Sequence, residues 1–279
     1  MSQANASETV FTLIQGSVPL LVSMPHIGTY IPPHLQSGYT ARALQVEDTD
    51  WHLGQLYDFL PALGASVLQP RYSRYVIDLN RPPDDAPMYP GASNTELCPT
   101  RFFTGDALYV EGCAPDVAAR AQRRSDYWQP YHDALAAELR RLVQAHGYAL
   151  LWDAHSIRSA IPWLFEGTLP ALNIGTANGD SAHALIAQAV MQVCRTAGPL
   201  SRVLNGRFKG GYITRRYGRP ADHVHALQLE MCQILYMQEA PPFAYDPALA
   251  AQVQPQLRAM LQAALNAGAA LVAGGGYGH

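Results

Sequence analysis

Short apolar runs of the β-strand type alternate with segments of helical periodicity along this chain of 279 residues. Such alternation is typical of a sheet flanked by helices, and several runs are continuously apolar, as in strands covered on both faces. We predict strands over residues 10–14, 19–24, 66–69, 75–79, 149–153, 171–174, 211–214 and 224–231. Helical periodicity is clearest over residues 116–146, 180–196 and 248–265, with breaks or kinks expected at Pro130 and Pro255. The pattern therefore predicts an α/β fold.

One stretch, at about residues 80–115, is rich in proline and glycine and fits neither pattern. A loop of this length inside a compact domain usually has a function, and we expect it to border a substrate site. The sequence shows no repeat, low-complexity tract or linker. We therefore expect a single domain over residues 1–279, with a frayed tail from about residue 273.

Charge, apolar run length and cysteine spacing together limit the possible partners and location of the protein. The net charge of −3 and a pI near 6.3 leave no basic footprint for nucleic acid. No apolar run reaches the roughly 20 residues of a membrane span. The polar residues 1–8 show no signal-peptide pattern, and the four cysteines are widely spaced without a CxxC pair. A cytoplasmic protein with a small-molecule partner is expected, and its oligomeric state is not predicted.

Ten histidines stand out in a chain with only 15% charged residues, and histidine is the commonest metal ligand. His26 directly follows the apolar run 19–24, at the strand end where open α/β sheets place ligands. His155 follows a second such run, and Asp153 shares its face because the two lie two positions apart on a strand. One can therefore bind a metal while the other supports it. The structural alternatives are a loop histidine at 26 and a turn cap at Asp153.

A carboxylate could complete this set. A catalytic zinc typically takes three protein ligands of nitrogen and oxygen type and leaves a position for water. The acidic segment 47–52 supplies Asp48 and Asp50 just before a helical pattern, where one of them could equally be an N-cap. Their spacing does not separate the two roles, so both remain candidates.

Glu230 lies inside the apolar run 224–231. A charge in such a strand is costly unless it is paired, metal-linked or protonated. Burial would raise the pKa of Glu230 toward the range of a general base. The alternative is a buried structural ion pair.

Cationic residues cluster near predicted strand ends. In a chain so poor in charge, clustered arginines suggest bidentate recognition of carboxylates, although each arginine taken singly is more often a surface residue. The clustered residues are Arg71, Arg74 and Arg81, and Lys209, Arg215 and Arg216.

Nine short motifs, in this order, resemble those of the N-formylglutamate amidohydrolases over most of the chain. They lie at residues 24–32, 48–52, 78–81, 89–91, 95–100, 153–156, 173–179, 209–215 and 226–231. The resemblance implies a mixed, mostly parallel central sheet with helices on both faces, similar to that of zinc carboxypeptidases and aspartoacylases. It also implies a metal at the carboxyl edge of this sheet.

The resemblance further implies roles for individual residues. The wider group often has a glutamate three residues after its first histidine, whereas this chain has Thr29, so the carboxylate ligand must come from elsewhere. Asp48 is preferred over Asp50, because an acid before this helix is typical of the family. The implied zinc ligands, with another divalent metal as an alternative, are His26, Asp48 and His155, and the implied catalytic base is Glu230. The implied substrate-binding residues are Asn80 and Arg81, followed by Arg74 and Arg215. Asp153 and Ser156 are implied to support the ligands.

The implied activity is zinc-dependent hydrolysis of N-formyl-L-glutamate to formate and L-glutamate, the closing step of one route of histidine degradation. One alternative is a related metal-dependent amidase acting on another N-acyl amino acid, such as an N-acyl-aspartate or N-succinyl-glutamate. The other is a metal-free protein that binds small dicarboxylates.

Overall fold

A seven-stranded sheet forms the centre of the protein, in the strand order β1-β3-β2-β4-β7-β5-β6. The computed structural model describes residues 9–87, 95–196 and 198–274. The strands are β1 (Phe11–Ile14), β2 (Leu20–Ser23), β3 (Ser66–Pro70), β4 (Ala149–Ile157), β5 (Leu172–Gly175), β6 (Arg202–Leu204) and β7 (Val224–Cys232). The helices are α1 (Pro33–Gln36), α2 (Leu53–Leu56), α3 (Leu60–Leu63), α4 (Val117–Arg123), α5 (Gln129–His146), α6 (Ala184–Thr196), α7 (Tyr212–Tyr217) and α8 (Pro247–Ala273).

The sheet is mixed and mostly parallel. β3, β2, β4 and β7 run parallel to one another, and β6 runs parallel to β5. β1 is antiparallel to β3, and β5 is antiparallel to β7. The predicted α/β class with a mixed, mostly parallel sheet is therefore confirmed.

Helices cover both faces, which explains why the central strands are continuously apolar. Every residue of β4 is buried. Trp152 and Ala154 share one cluster with residues of α6 and α8, whereas Leu151 shares another with residues of α5. Alternate side chains of this strand therefore enter two separate cores.

Two predicted strands are wrong. Residues 75–79 are buried but form turns, so their apolar character reflects packing rather than sheet pairing. Residues 211–214 enter α7 instead, because Gly211 is the N-cap of that helix. The edge strand β6 was not predicted, because it has three residues and only Val203 is even partly covered.

The prolines behave differently from one another. Pro130 lies in the first turn of α5, directly after a π-helical turn at Arg124–Trp128, so the helix is not broken there but changes its hydrogen-bond pattern just before the proline. α8 continues unbroken through Pro255. Residues such as Val253 and Leu257 are buried on either side of this proline, and their packing offsets the backbone hydrogen bond that it cannot donate.

Two predictions fall partly outside the described residues. The loop at 80–115 contains only isolated bridges over its described parts, 80–87 and 95–115, while the motif at 89–91 is not described. The predicted tail also lies outside, apart from the end of α8 and Gly274. All four cysteines are free thiols. Across the described ranges, no helix has both the length and the apolar character needed to cross a membrane.

Candidate active site

The carboxyl ends of three parallel strands bring together the residues that the sequence singled out. His26 lies just beyond β2, His155 near the end of β4, and Glu230 near the end of β7. His155 and Glu230 are direct partners in the β4–β7 register and therefore project from the same face of the sheet. All three side chains are buried.

A compact cluster of three potential ligand atoms lies at this edge, formed by His26, Asp50 and His155. The two Nδ1 atoms are 3.1 Å apart. Asp50 Oδ2 is 3.1 Å from His155 Nδ1 and 3.7 Å from His26 Nδ1. Although burial opposes ionisation, the two histidines hold the pKa of the Asp50 carboxyl below its usual range. Asp50 is therefore an anion between two imidazole rings.

Both histidines are oriented from behind by a second carboxylate. His26 Nε2 lies 2.7 Å from Asp78 Oδ1, and His155 Nε2 lies 3.2 Å from Asp153 Oδ2. An ionised carboxylate only accepts hydrogen bonds, so in a neutral His26 ring the Nε2 carries the proton and the Nδ1 presents a lone pair. The two Nδ1 atoms and a carboxylate oxygen thus converge, an arrangement that suits a cation.

The separations suit a tetrahedral metal ion. A circle through the three ligand atoms has a radius of about 1.9 Å, so one point can lie about 2.0–2.1 Å from each of them, the usual distance of nitrogen and oxygen from zinc. Two histidines and one carboxylate are also a common donor set of catalytic zinc. The residues present therefore fit a divalent metal, and all three also line the cavity.

Asp78 was not predicted as a site residue, although it lies in the motif at 78–81. Besides His26 it accepts hydrogen bonds from Arg74 Nη2 and the Asn80 backbone N–H, both at 2.8 Å. Burial opposes ionisation of Asp78, but His26, Arg74 and Arg81 hold its pKa well below the usual range. Asp78 therefore links the cluster of His26, Asp50 and His155 to the residues that follow Asp78 in sequence.

The structure separates Asp48, the preferred candidate ligand, from the two histidines. Its carboxylate accepts hydrogen bonds from Tyr75 Oη, the Phe103 N–H and Arg158, each at 2.9 Å, and it is not part of the cluster. The Asp50 N–H instead donates to the His26 carbonyl oxygen at 3.0 Å. This backbone contact holds Asp50, rather than Asp48, against the histidines.

The predicted supporting residues surround the cluster. The Ser156 N–H donates to Asp50 Oδ2 at 3.2 Å, and Ser156 Oγ accepts from Tyr236 at 2.6 Å. Thr214 donates to Asp153 Oδ2 at 3.2 Å. Asp153 and Ser156 therefore each contact a member of the cluster directly.

Asn80 and Gly211 pack tightly behind His155. Asn80 Oδ1 accepts from the Ile213 N–H at 2.8 Å, which turns its amide nitrogen toward His155 Nε2 at 2.9 Å. A Cβ at Gly211 would lie only 2.4 Å from this nitrogen, so the position has no room for a side chain. The start of α7 thus sets the position of Asn80.

Glu230 lies beside the cluster and lines the same cavity. Burial raises its pKa to about 8, with opposing effects from His155 and Asp50. Gln228, two residues earlier on the same face of β7, lies 3.4 Å from the Glu230 carboxylate and accepts the Gly211 N–H at 2.6 Å. A carboxyl group in this setting is suited to exchanging protons near neutrality.

The cavity has a volume of about 140 Å³, and the structure separates the predicted cationic residues around it. Arg74 lines it but is paired with Asp78. Arg81 also lines it, whereas Arg215 is exposed, donates to the Gly210 carbonyl oxygen and is not among the lining residues. Phe103, Arg207 and Gln228 also line the cavity and are not among the predicted site residues, although Gln228 lies in the motif at 226–231.

Comparisons with known proteins agree with the resemblance found in the sequence. The family model described as N-formylglutamate amidohydrolase matches residues 18–237. The N-formylglutamate deformylase of Pseudomonas putida is 51% identical over 262 residues, covering 94% of this chain and 98% of that protein. The protein of the same name from Pseudomonas aeruginosa is 50% identical over 258 residues, covering 92% and 97%.

Solved structures extend this likeness to three dimensions. The N-formylglutamate amidohydrolase of Ralstonia eutropha JMP134 is 25% identical, with a TM-score of 0.78 over 95% of this chain and 99% of that one. A gene product of Agrobacterium tumefaciens, 20% identical, shares the fold with a TM-score of 0.71 over 94% and 97%. With the family model spanning most of the sequence and two relatives at about half identity over nearly their whole lengths, the chain belongs to the N-formylglutamate amidohydrolase family.

Proposed function

We propose that this protein hydrolyses N-formyl-L-glutamate to formate and L-glutamate, using a bound divalent metal. The observation that carries the proposal is the buried cluster of His26, Asp50 and His155 beside Glu230, in one cavity with Arg81. The names of the two Pseudomonas relatives support the choice of substrate. These products would make the reaction the closing step of a histidine degradation route.

His26, Asp50 and His155 would hold the metal, and their donor set favours zinc. When bound, such an ion polarises the formamide carbonyl and lowers the pKa of water toward neutrality. Asp78 and Asp153 keep the two rings oriented with Nδ1 inward. The chain therefore supplies the ligands together with the carboxylates that aim them.

Glu230 is the proton carrier in this proposal. As a carboxylate it accepts a proton from the attacking water as the new C–O bond forms, and as an acid it delivers that proton to the glutamate nitrogen as the C–N bond breaks. It is buried near the end of β7 and lines the cavity. Arg81 binds a substrate carboxylate through guanidinium N–H groups that its own contacts leave available.

The reaction is tested by measuring formate release from N-formyl-L-glutamate, first with protein whose metal a chelator has removed and then after zinc is added back. We expect activity that depends on the metal. Glu230→Gln should abolish turnover while metal content, measured by elemental analysis, stays unchanged. Near-normal turnover in this variant would exclude Glu230 as the proton carrier.

A substrate panel separates the alternatives. N-acetyl-aspartate and N-succinyl-glutamate carry larger acyl groups than formyl, and release of acetate or succinate would identify an amidase of different specificity. A protein that binds dicarboxylates but releases no acid from any member of the panel would be a binding protein rather than an enzyme.

A further inference from the structure

Two of the arginines near the cavity are already neutralised by buried acids. Arg74 pairs with Asp78 at 2.8 Å and lies 3.6 Å from Asp50. Arg158 pairs with Asp48 at 2.9 Å. Neither guanidinium therefore has its charge available for an anionic ligand.

Arg81 and Arg207 differ from that pair. Both line the cavity, and no carboxylate of residues 9–87, 95–196 and 198–274 lies within 4.0 Å of either. Arg81 donates to Thr95 and to the Asn80 carbonyl oxygen, which leaves two of its five N–H groups without a partner among the described residues. Two cations around one cavity, each without an ion pair among the described residues, are suited to a ligand with two negative charges.

The segment that carries Arg207 is fixed at both ends to the residues that follow β5. Asn205 Oδ1 accepts the Thr176 N–H at 2.8 Å, and the Asn205 amide donates to the Thr176 hydroxyl at 2.9 Å. The Lys209 carbonyl oxygen accepts the Ala177 N–H at 2.6 Å. Arg207 therefore projects from a short, anchored segment, which lowers the entropic cost of binding.

Close backbone contact reinforces this anchoring. A Cβ at Gly175 would lie 2.5 Å from the Gly210 nitrogen, so the end of β5 and the segment containing Arg207 can approach only because position 175 has no side chain. The Arg207 side chain itself is exposed, and its guanidinium carbon lies 5.9 Å from the centre of the Phe165 ring. The backbone is thus held while the cation remains accessible.

We propose that Arg207 binds the side-chain carboxylate of the substrate and thereby selects dicarboxylic N-acyl amino acids. This inference rests on the proposed function. Arg81 follows Asn80, whose amide lies 2.9 Å from the metal-cluster residue His155. Arg81 is therefore paired with the α-carboxylate, which shares its carbon with the reacting nitrogen. The side-chain carboxylate lies two methylene groups further from the reacting nitrogen, and we assign it to Arg207, the exposed cation that lines the cavity.

Arg207→Gln tests the assignment through a ratio of substrates. The kcat/KM for N-formyl-L-glutamate should fall about 100-fold, whereas that for N-formyl-L-glutamine, which lacks the side-chain charge, should change little. N-formyl-L-isoglutamine, which lacks the α-charge instead, should lose activity as N-formyl-L-glutamate does. Arg207→Lys should retain part of the selectivity. The matched control is Arg202→Gln, an exposed arginine on β6 outside the cavity, which should behave as the wild type.

Two outcomes would overturn the inference. One is an unchanged ratio between N-formyl-L-glutamate and N-formyl-L-glutamine in Arg207→Gln. The other is that Arg207→Gln loses activity on the substrates that carry an α-carboxylate and keeps its activity on N-formyl-L-isoglutamine, which would assign Arg207 to the α-carboxylate.

Binding of glutarate by calorimetry separates this inference from the reaction itself. Glutarate has the same carboxylate spacing as glutamate and cannot be hydrolysed. Weaker binding of glutarate to Arg207→Gln than to wild type is expected even if the wild type releases no formate, in which case only the proposed reaction fails. Equal affinity of the two proteins for glutarate would remove Arg207 from the site whatever the reaction is.

Discussion

Asp50→Asn should abolish tight metal binding, whereas the same change at Asp48 should not. Asp50 Oδ2 lies 3.1 Å and 3.7 Å from the two histidine Nδ1 atoms, so the substitution removes one of three convergent ligands together with its charge. Loss of an outer hydrogen-bond partner alone weakens a metal site by roughly 10- to 100-fold. Loss of the ligand itself should therefore exceed about 100-fold, or about 2.7 kcal/mol.

Asp48 is the matched control, because it is buried and carries the same charge. Its neighbours are Arg158, Tyr75 and Phe103 rather than the histidines. Asp48→Asn leaves Arg158 without its acid, but the Arg158 side chain keeps 19% of its surface exposed, so water can partly replace the lost partner. The expected cost is about 1–3 kcal/mol of folding stability with nearly unchanged metal affinity.

Competition with a chromophoric chelator measures zinc affinity in both variants at neutral pH, and urea unfolding measures stability. The reasoning is refuted if Asp50→Asn keeps wild-type affinity. It is equally refuted if Asp48→Asn loses the metal while remaining folded, since Asp48 would then be the carboxylate ligand.

Three further changes have defined outcomes. Asp78→Asn removes the negative charge of the group that accepts the His26 Nε2–H and should weaken zinc binding roughly 10- to 100-fold in the same competition, and unchanged affinity would contradict its orienting role. Gly211→Ala places a Cβ 2.4 Å from Asn80 at an ordinary φ of −80°, so kcat/KM should fall by about tenfold or more with little change in melting temperature; full activity would contradict the tight packing. Burial lowers the pKa of His132 from 6.5 to about 3. The contribution of the neutral His132 to the free energy of unfolding should therefore be fully present above pH 6.5 and be lost progressively as the pH falls toward 3. His132→Gln should remove about 2–3 kcal/mol of this decline by about pH 4.5 in urea unfolding, and equal pH dependence in both proteins would refute the assignment.

The central strands could be predicted from the sequence because burial on both faces leaves a continuous apolar run. This holds for β2, β4 and β7, and it places His26, His155 and Glu230 correctly at one edge, since parallel strands share a carboxyl end. The same reasoning fails at residues 75–79, where an equally apolar run is buried under the loops instead of being paired in the sheet. Apolar character reports burial, and it reports strand pairing only where length and neighbours agree.

The choice between Asp48 and Asp50 could not be made from spacing. Both acids are buried, both lie before the same short helix, and each has buried hydrogen-bond partners. What separates them is one backbone hydrogen bond from the Asp50 N–H to His26 and a cation, Arg158, that reaches Asp48 from beyond the end of β4. Both contacts join residues far apart in sequence, so local patterns do not encode them.

The same physics governs the arginines, and there it has a functional consequence. Clustering in sequence favoured Arg74 as a substrate anchor, but a buried guanidinium without an anion would be too costly to keep, and Asp78 and Asp50 compensate it. Arg207 lies two residues before the motif at 209–215 and the cationic cluster that begins at Lys209, so the sequence does not single it out. It borders the cavity only because the segment from 205 to 210 is tied to the end of β5, and at its exposed position it needs no acid to be stable. The cations that remain available to an anionic ligand are those that form no ion pair with an acid of the protein. This property depends on where the acids lie in space, and the spacing of the arginines along the chain does not reveal it.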